Sequence, residues 1–130
     1  MHRKFLIFSA ISGFICVMLG AFGAHTLKKH ISPELLSAFE TGVRYQFYHT
    51  IALLVISVLI LLKGENSFLK RSGYFFLAGI ILFSGSLYFL SVRNLTGFEL
   101  TWLGPITPLG GLCFLLGWLV LLMYAIKIKT

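Results

Sequence analysis

Long apolar runs alternate with short polar breaks along the whole chain. Phe5–Ala24, Tyr45–Leu62, Gly73–Val92 and Leu103–Ile126 contain no Asp, Glu, Lys or Arg, whereas the connecting stretches collect charged and turn-forming residues. About 20 mostly apolar residues cross the roughly 30 Å of hydrocarbon in a bilayer. Each run therefore predicts one membrane span. Backbone groups in lipid must pair within their own segment, so the spans are predicted to be helices. The expected fold is all-α: one domain, residues 1–130, forming an integral membrane four-helix antiparallel bundle.

The connections sharpen this pattern. "KGENSFLKRS" (63–72) and "RNLTGFELTW" (93–102) are short, with Gly64 and Asn66 as turn formers in the first. Between the first two spans, Ser32 is a good N-cap and Pro33 suits the first helical position. A helix running from there to Leu62 would cover about 45 Å at 1.5 Å per residue, more than the membrane. Leu35, Leu36, Phe39 and Val43 share one face of it, so residues 33–43 are expected to form an outer amphipathic segment, with a possible bend at Gly42.

Composition removes the soluble alternatives. The chain is 58% hydrophobic and only 12% charged, with a mean hydropathy of +0.92, against about a quarter charged in soluble domains. Its net charge of +7 does not point to nucleic acid, because the basic residues flank apolar runs instead of forming a stripe with interleaved aromatics. They set an orientation instead. Arg3, Lys4, Lys63, Lys70, Arg71, Lys127 and Lys129 would share the side of both termini, and Lys28, Lys29, Arg44 and Arg93 the other. By the positive-inside rule both termini are expected in the cytoplasm of a cell whose plasma (inner) membrane holds the protein. The first apolar run is longer than the roughly 7–15 residues of a signal-peptide core, so it is expected to be a retained span.

Four stretches stand together in order: "GAFGAH" (20–25), "FETGVRYQFYHT" (39–50), "GIILFSGSLYFL" (79–90) and "ITPLGGLCFLLGW" (106–118). The chain resembles, over nearly its whole length, the small four-span bacterial inner-membrane proteins of the YgdD/YwdK type, a family similar to eukaryotic transmembrane protein 256. That resemblance implies a four-helix plasma-membrane protein of unknown function. It supplies no reaction, substrate or cofactor and assigns no functional residue.

Polar groups inside the spans are the remaining candidates. Counting rise per residue from the inner boundary puts His49 at roughly 20 Å and Ser84 and Ser86 at roughly 17–20 Å. A candidate polar layer in the outer half of the membrane thus contains His49, Ser84, Ser86, Tyr88 and Thr107. Two readings stay open. The layer could line a small cavity, since ionisable groups at this depth are costly and often functional, or it could hold helices together. Either way His49 is expected to approach Ser84, Ser86 or Tyr88. At the rim, Glu40 and Arg44 are four apart and expected to pair, with His25 and Tyr45 as neighbours in the interface.

Small residues recur as Ser12, Cys16, Gly20 and Ala24 in the first span and Gly110, Cys113 and Gly117 in the fourth. These ridges predict close helix contact, expected between spans one and four. No acidic pair, HExxH motif or oriented Ser–His–Asp set occurs, and Cys16 and Cys113 carry no metal-ligand spacing. The expectation is a non-enzymatic protein without cofactor or metal, binding membrane lipid or a small amphiphile, with a homo-oligomer or partner membrane protein as further companions. A small transporter or channel subunit acting as an oligomer is the alternative.

Overall fold

The computed structural model describes residues 1–97, 99 and 101–128, with the side chain of Thr101 left aside. Lys129, one of the basic residues counted above, lies outside this set. Four helices are long and apolar enough to cross a membrane: α1 (His2–His25), α2 (Pro33–Lys63), α3 (Ser67–Ser91) and α4 (Ile106–Lys127). No strand occurs among the described residues. Short 3₁₀ turns at Leu27–Lys29 and Thr101–Leu103 and a single helical turn at Arg93–Thr96 fill two of the connections. The protein is an integral membrane four-helix antiparallel bundle. Phe14, Val17, Leu62, Ile81, Leu115 and Ile126 all stand on its surface, where lipid takes the place of water.

The helix ends follow from their local sequence. The Ser32 side chain accepts from the Leu35 N–H at 3.3 Å with Pro33 in the first position. Asn66 caps α3 by accepting from the Phe68 N–H at 2.8 Å. Gly64, at φ +86°, supplies a backbone conformation that other residues rarely adopt, and the chain reverses within three residues. Helix α2 runs through Gly42 without a break. That glycine is a point of close approach, since a Cβ there would lie 2.9 Å from the Tyr88 ring and 3.3 Å from the Ser84 carbonyl.

Helices pair with their neighbours in sequence. The closest backbone contacts join α1 to α2 and α3 to α4, and α2 also lies along α3. The small-residue ridges serve these seams, which corrects the expected contact between spans one and four. Cys16 Sγ–H donates to the Val43 carbonyl at 3.2 Å, and Ser12 meets Thr50. On α4, the ring of Phe76 occupies the space a side chain at Gly117 would take, and Gly110 faces the backbone of Phe83. Short connections bring sequence neighbours together first, so each ridge is used within its own hairpin.

Midway along α3 the helix widens to a π-turn over Ile80–Ser84. One residue more per turn shifts the register of everything beyond it, and it moves Phe83 against Gly110. At the end holding both termini, the exposed Glu65 accepts from the N-terminal ammonium at 2.8 Å and pairs with Lys70. The Lys70 ammonium, with the N-terminal one, holds its carboxyl down at about 2. Lys127 stands 4.7 Å from the centre of the Phe68 ring at the same end.

Candidate functional site

The proposed polar layer divides into three separate constellations. In the first, α1, α2 and α3 are joined by a buried chain of hydrogen bonds. Ser12 Oγ and Thr50 Oγ1 lie 2.6 Å apart, Gln46 Nε2 donates to the Ser12 carbonyl at 3.1 Å and stands 3.2 Å from its hydroxyl, and the Tyr88 hydroxyl donates to Gln46 Oε1 at 2.5 Å. Gln46 and Thr50 are four apart, on one face of α2. In the second, hydroxyls tie α3 to its neighbours. Ser84 Oγ donates to the Gly42 carbonyl at 2.7 Å, and Ser86 meets Thr107 at 2.6 Å.

His49 belongs to neither. It is 4% exposed, turned toward α4 and lying flat on Phe114, with ring centres 3.5 Å apart and planes 8° from parallel. Its Nδ1 is 2.7 Å from the Tyr45 carbonyl, and Trp118 Nε1–H donates to its Nε2 at 3.0 Å. The expected approach to Ser84, Ser86 or Tyr88 is therefore not found. A carbonyl can only accept and an indole N–H can only donate, so these partners assign His49 as a neutral imidazole with its proton on Nδ1. Both nitrogens are then satisfied.

This imidazole forms part of the wall of a cleft between α2 and α4 with a volume of about 820 Å³. Tyr45, Tyr48, Phe83, Gly111 and Phe114 line it, with Trp118 at one end and Pro108 at the other. The two helices meet here through rings: besides His49 on Phe114, Tyr45 lies 6.3 Å from Phe114 and His49 6.0 Å from Trp118 between centres. Rings of α3 complete the cluster, Phe83 at 4.9 Å from Tyr45 and 5.5 Å from Phe114, and Phe76 at 5.1 Å from Trp118. Leu115, 68% exposed, and Trp118, 48% exposed, stand at its margin, so the cleft opens sideways into the membrane. From Pro108 to Trp118 it follows α4 for about 15 Å, half the thickness of the hydrocarbon.

The rim residues are placed apart from the cleft, Tyr45 excepted. His25 is exposed at the end of α1. Arg44 and Glu40 do not form the expected pair: Arg44 Nη2 donates to Thr41 Oγ1 at 3.1 Å, one turn back on its own helix. That hydroxyl needs no reach along the surface, and it is anchored by its own bond to the Ser37 carbonyl. Among the described residues no group of three His, Cys, Asp or Glu side chains converges as a metal site would require.

Gln46, Phe114 and Trp118 are the participants that depth counting passes over. Gln46 was visible as a polar residue inside an apolar run. The aromatic pair was visible only as two rings four apart on a helix, a pattern common in any core.

Comparison with known proteins gives this architecture a family. Residues 19–111 match the family described as "Protein of unknown function (DUF423)". The chain belongs to that family. It is similar to the membrane protein YwdK of Bacillus subtilis, 43% identical over 96% of this chain and 98% of that one. A membrane protein of Haemophilus influenzae is 42% identical over 100% of this chain and 99% of its own. The inner membrane protein YgdD of Escherichia coli is 42% identical over 98% of this chain and 92% of its own. No solved structure matches the chain. The relatives are named as membrane proteins and nothing more, so the geometry carries any further reading.

Proposed function

We propose that this family member is a non-enzymatic membrane protein that holds one chain of a lipid, or the tail of a small amphiphile, in the cleft between α2 and α4. The observation that carries the reading is the cleft itself. Its volume of about 820 Å³ falls within the roughly 300–1,000 Å³ of small-molecule sites, and it opens where lipid chains are the surrounding solvent. Its length matches one leaflet. The one imidazole on its wall has both nitrogens bonded, so it offers no free base to the space. Transport receives less support, because among the described residues every buried polar side-chain atom has a partner and the interior polar groups close on one another.

Gly111 provides the test. A Cβ there would touch only the edge of the Phe83 ring, at 3.8 Å, whereas at neighbouring Gly110 it would run into the Phe83 backbone. Gly111→Phe should fill the cleft while leaving the melting temperature in detergent unchanged. Lipid carried through purification, measured by mass spectrometry, should fall severalfold in this variant. Equal lipid retention by the variant and the parent would refute the reading.

In the same reading both termini face the cytoplasm, which the excess of lysine and arginine at their end supports. With Cys16 and Cys113 replaced, a cysteine at position 66 should resist an impermeant thiol reagent applied to intact cells. Labelling there would reverse the orientation.

A further inference from the structure

On the other side of α2, at the end of the bundle away from the termini, a separate recess of about 230 Å³ lies between α1 and α2. Gly20 and Gly23 form one wall, Phe39 and Val43 the other, and Glu40 and Arg44 are its charged residues. A glutamate four residues before an arginine ordinarily pairs with it. Here the guanidinium bonds to Thr41, and the Glu40 carboxylate has no hydrogen bond or ion pair among the described residues. Two opposite charges thus border one small recess without neutralising each other.

Their depths differ in a definite order. Counting back about 20 residues, one hydrocarbon thickness, from Lys63 reaches Val43 and Arg44. Glu40 lies about one turn, roughly 5–6 Å, farther out. The recess therefore offers a cation at the edge of the hydrocarbon and an anion just above it. A phosphoethanolamine headgroup carries the complementary sequence: a phosphate next to its chains and a primary ammonium beyond. An anionic headgroup without an amine would leave Glu40 facing negative charge. A trimethylated ammonium has no N–H to donate to the carboxylate, and the bulkier group must fit the same small recess.

We propose that this recess is a headgroup site for a phosphoethanolamine lipid, with the phosphate on Arg44 and the primary ammonium on Glu40. Phe39 and Val43 give the recess apolar surface level with the two charges, which favours a lipid over the free headgroup. The site stands apart from the α2–α4 cleft and does not depend on its occupant.

The full chain reconstituted in nanodiscs with equal parts phosphatidylethanolamine, phosphatidylglycerol and phosphatidylcholine, then read by native mass spectrometry, tests the assignment. Phosphatidylethanolamine should be retained about tenfold over phosphatidylcholine, the ratio corresponding to about 1.4 kcal/mol. Glu40→Gln should bring it down to the phosphatidylcholine level, and Arg44→Gln should weaken retention of all three. Both side chains are exposed, so the melting temperature should stay constant in both variants. Gly111→Phe should leave the headgroup preference intact. Equal retention of the three lipids, indifference to Glu40→Gln, loss of the preference in Gly111→Phe, or full competition by soluble phosphoethanolamine would each overturn the proposal.

Discussion

Two faces of α2, less than one turn apart, are built on opposite principles. Toward α1 and α3, Gln46 and Thr50 enter a chain of hydrogen bonds in which each buried polar atom finds another. Toward α4, Tyr45 and His49 both meet the Phe114 ring, and the rings leave a cleft. Hydrogen bonding is directional and draws helices to fixed distances, while aromatic side chains hold two helices apart by their own thickness. The first face closes the bundle and the second keeps part of it open. A polar residue inside the membrane therefore does not by itself mark a site. What matters is whether its partners fill the space around it.

The sharpest way to break this contrast is to remove the hub of the closed face. Gln46→Leu keeps the approximate volume but removes three contacts and leaves the Tyr88 hydroxyl without its acceptor. Interhelical hydrogen bonds in membranes average about 0.6 kcal/mol, and an orphaned buried group costs about 1–3 kcal/mol. The expected loss is about 2 kcal/mol, read as a lower unfolding midpoint in detergent. Adding Tyr88→Phe should recover part of that loss, because the orphan is then gone and the two changes are coupled. Strict additivity of the pair would mean that the chain of bonds is not a unit.

How much of this was legible depends on which coordinate is considered. Span number, helical class and the Ser32–Pro33 helix start follow from hydrophobic run length and capping chemistry, which are properties of consecutive residues. The shared depth of His49 and Ser84 does not follow, since Ser84 bonds to Gly42, seven residues or about 10 Å farther out on α2 than His49, whose own ring lies beside Phe76. Neither does direction around the helix. His49 and Gln46 lie within one turn of each other on α2 but face different neighbours, which depth alone does not separate. On α3 the π-turn at Ile80–Ser84 adds a further shift of register ahead of Ser86 and Tyr88, with no sequence signal to announce it. The expected α1–α4 seam failed for a related reason. Small-residue ridges state that a helix can be approached closely and leave open which helix approaches.

The smallest expected effect belongs to the open face, and it is the more telling for being small. His49→Phe preserves a flat ring to lie on Phe114, 3.5 Å from its centre, and removes the bonds to the Tyr45 carbonyl and the Trp118 indole. The carbonyl of Tyr45 keeps its helical partner. Trp118 is half exposed at the margin of the cleft, so its N–H can turn to another acceptor without opening the bundle. Stability should therefore fall by no more than about 0.6 kcal/mol, well below the effect of Gln46→Leu. In a Trp102→Phe background, where Trp118 is the sole tryptophan, the loss of its acceptor should shift the emission maximum to shorter wavelength. A stability loss equal to that of Gln46→Leu would show His49 to be a structural tie like Gln46, and the distinction between the two faces would collapse. An unchanged emission spectrum would deny the Trp118–His49 bond on which the neutral assignment of the imidazole rests.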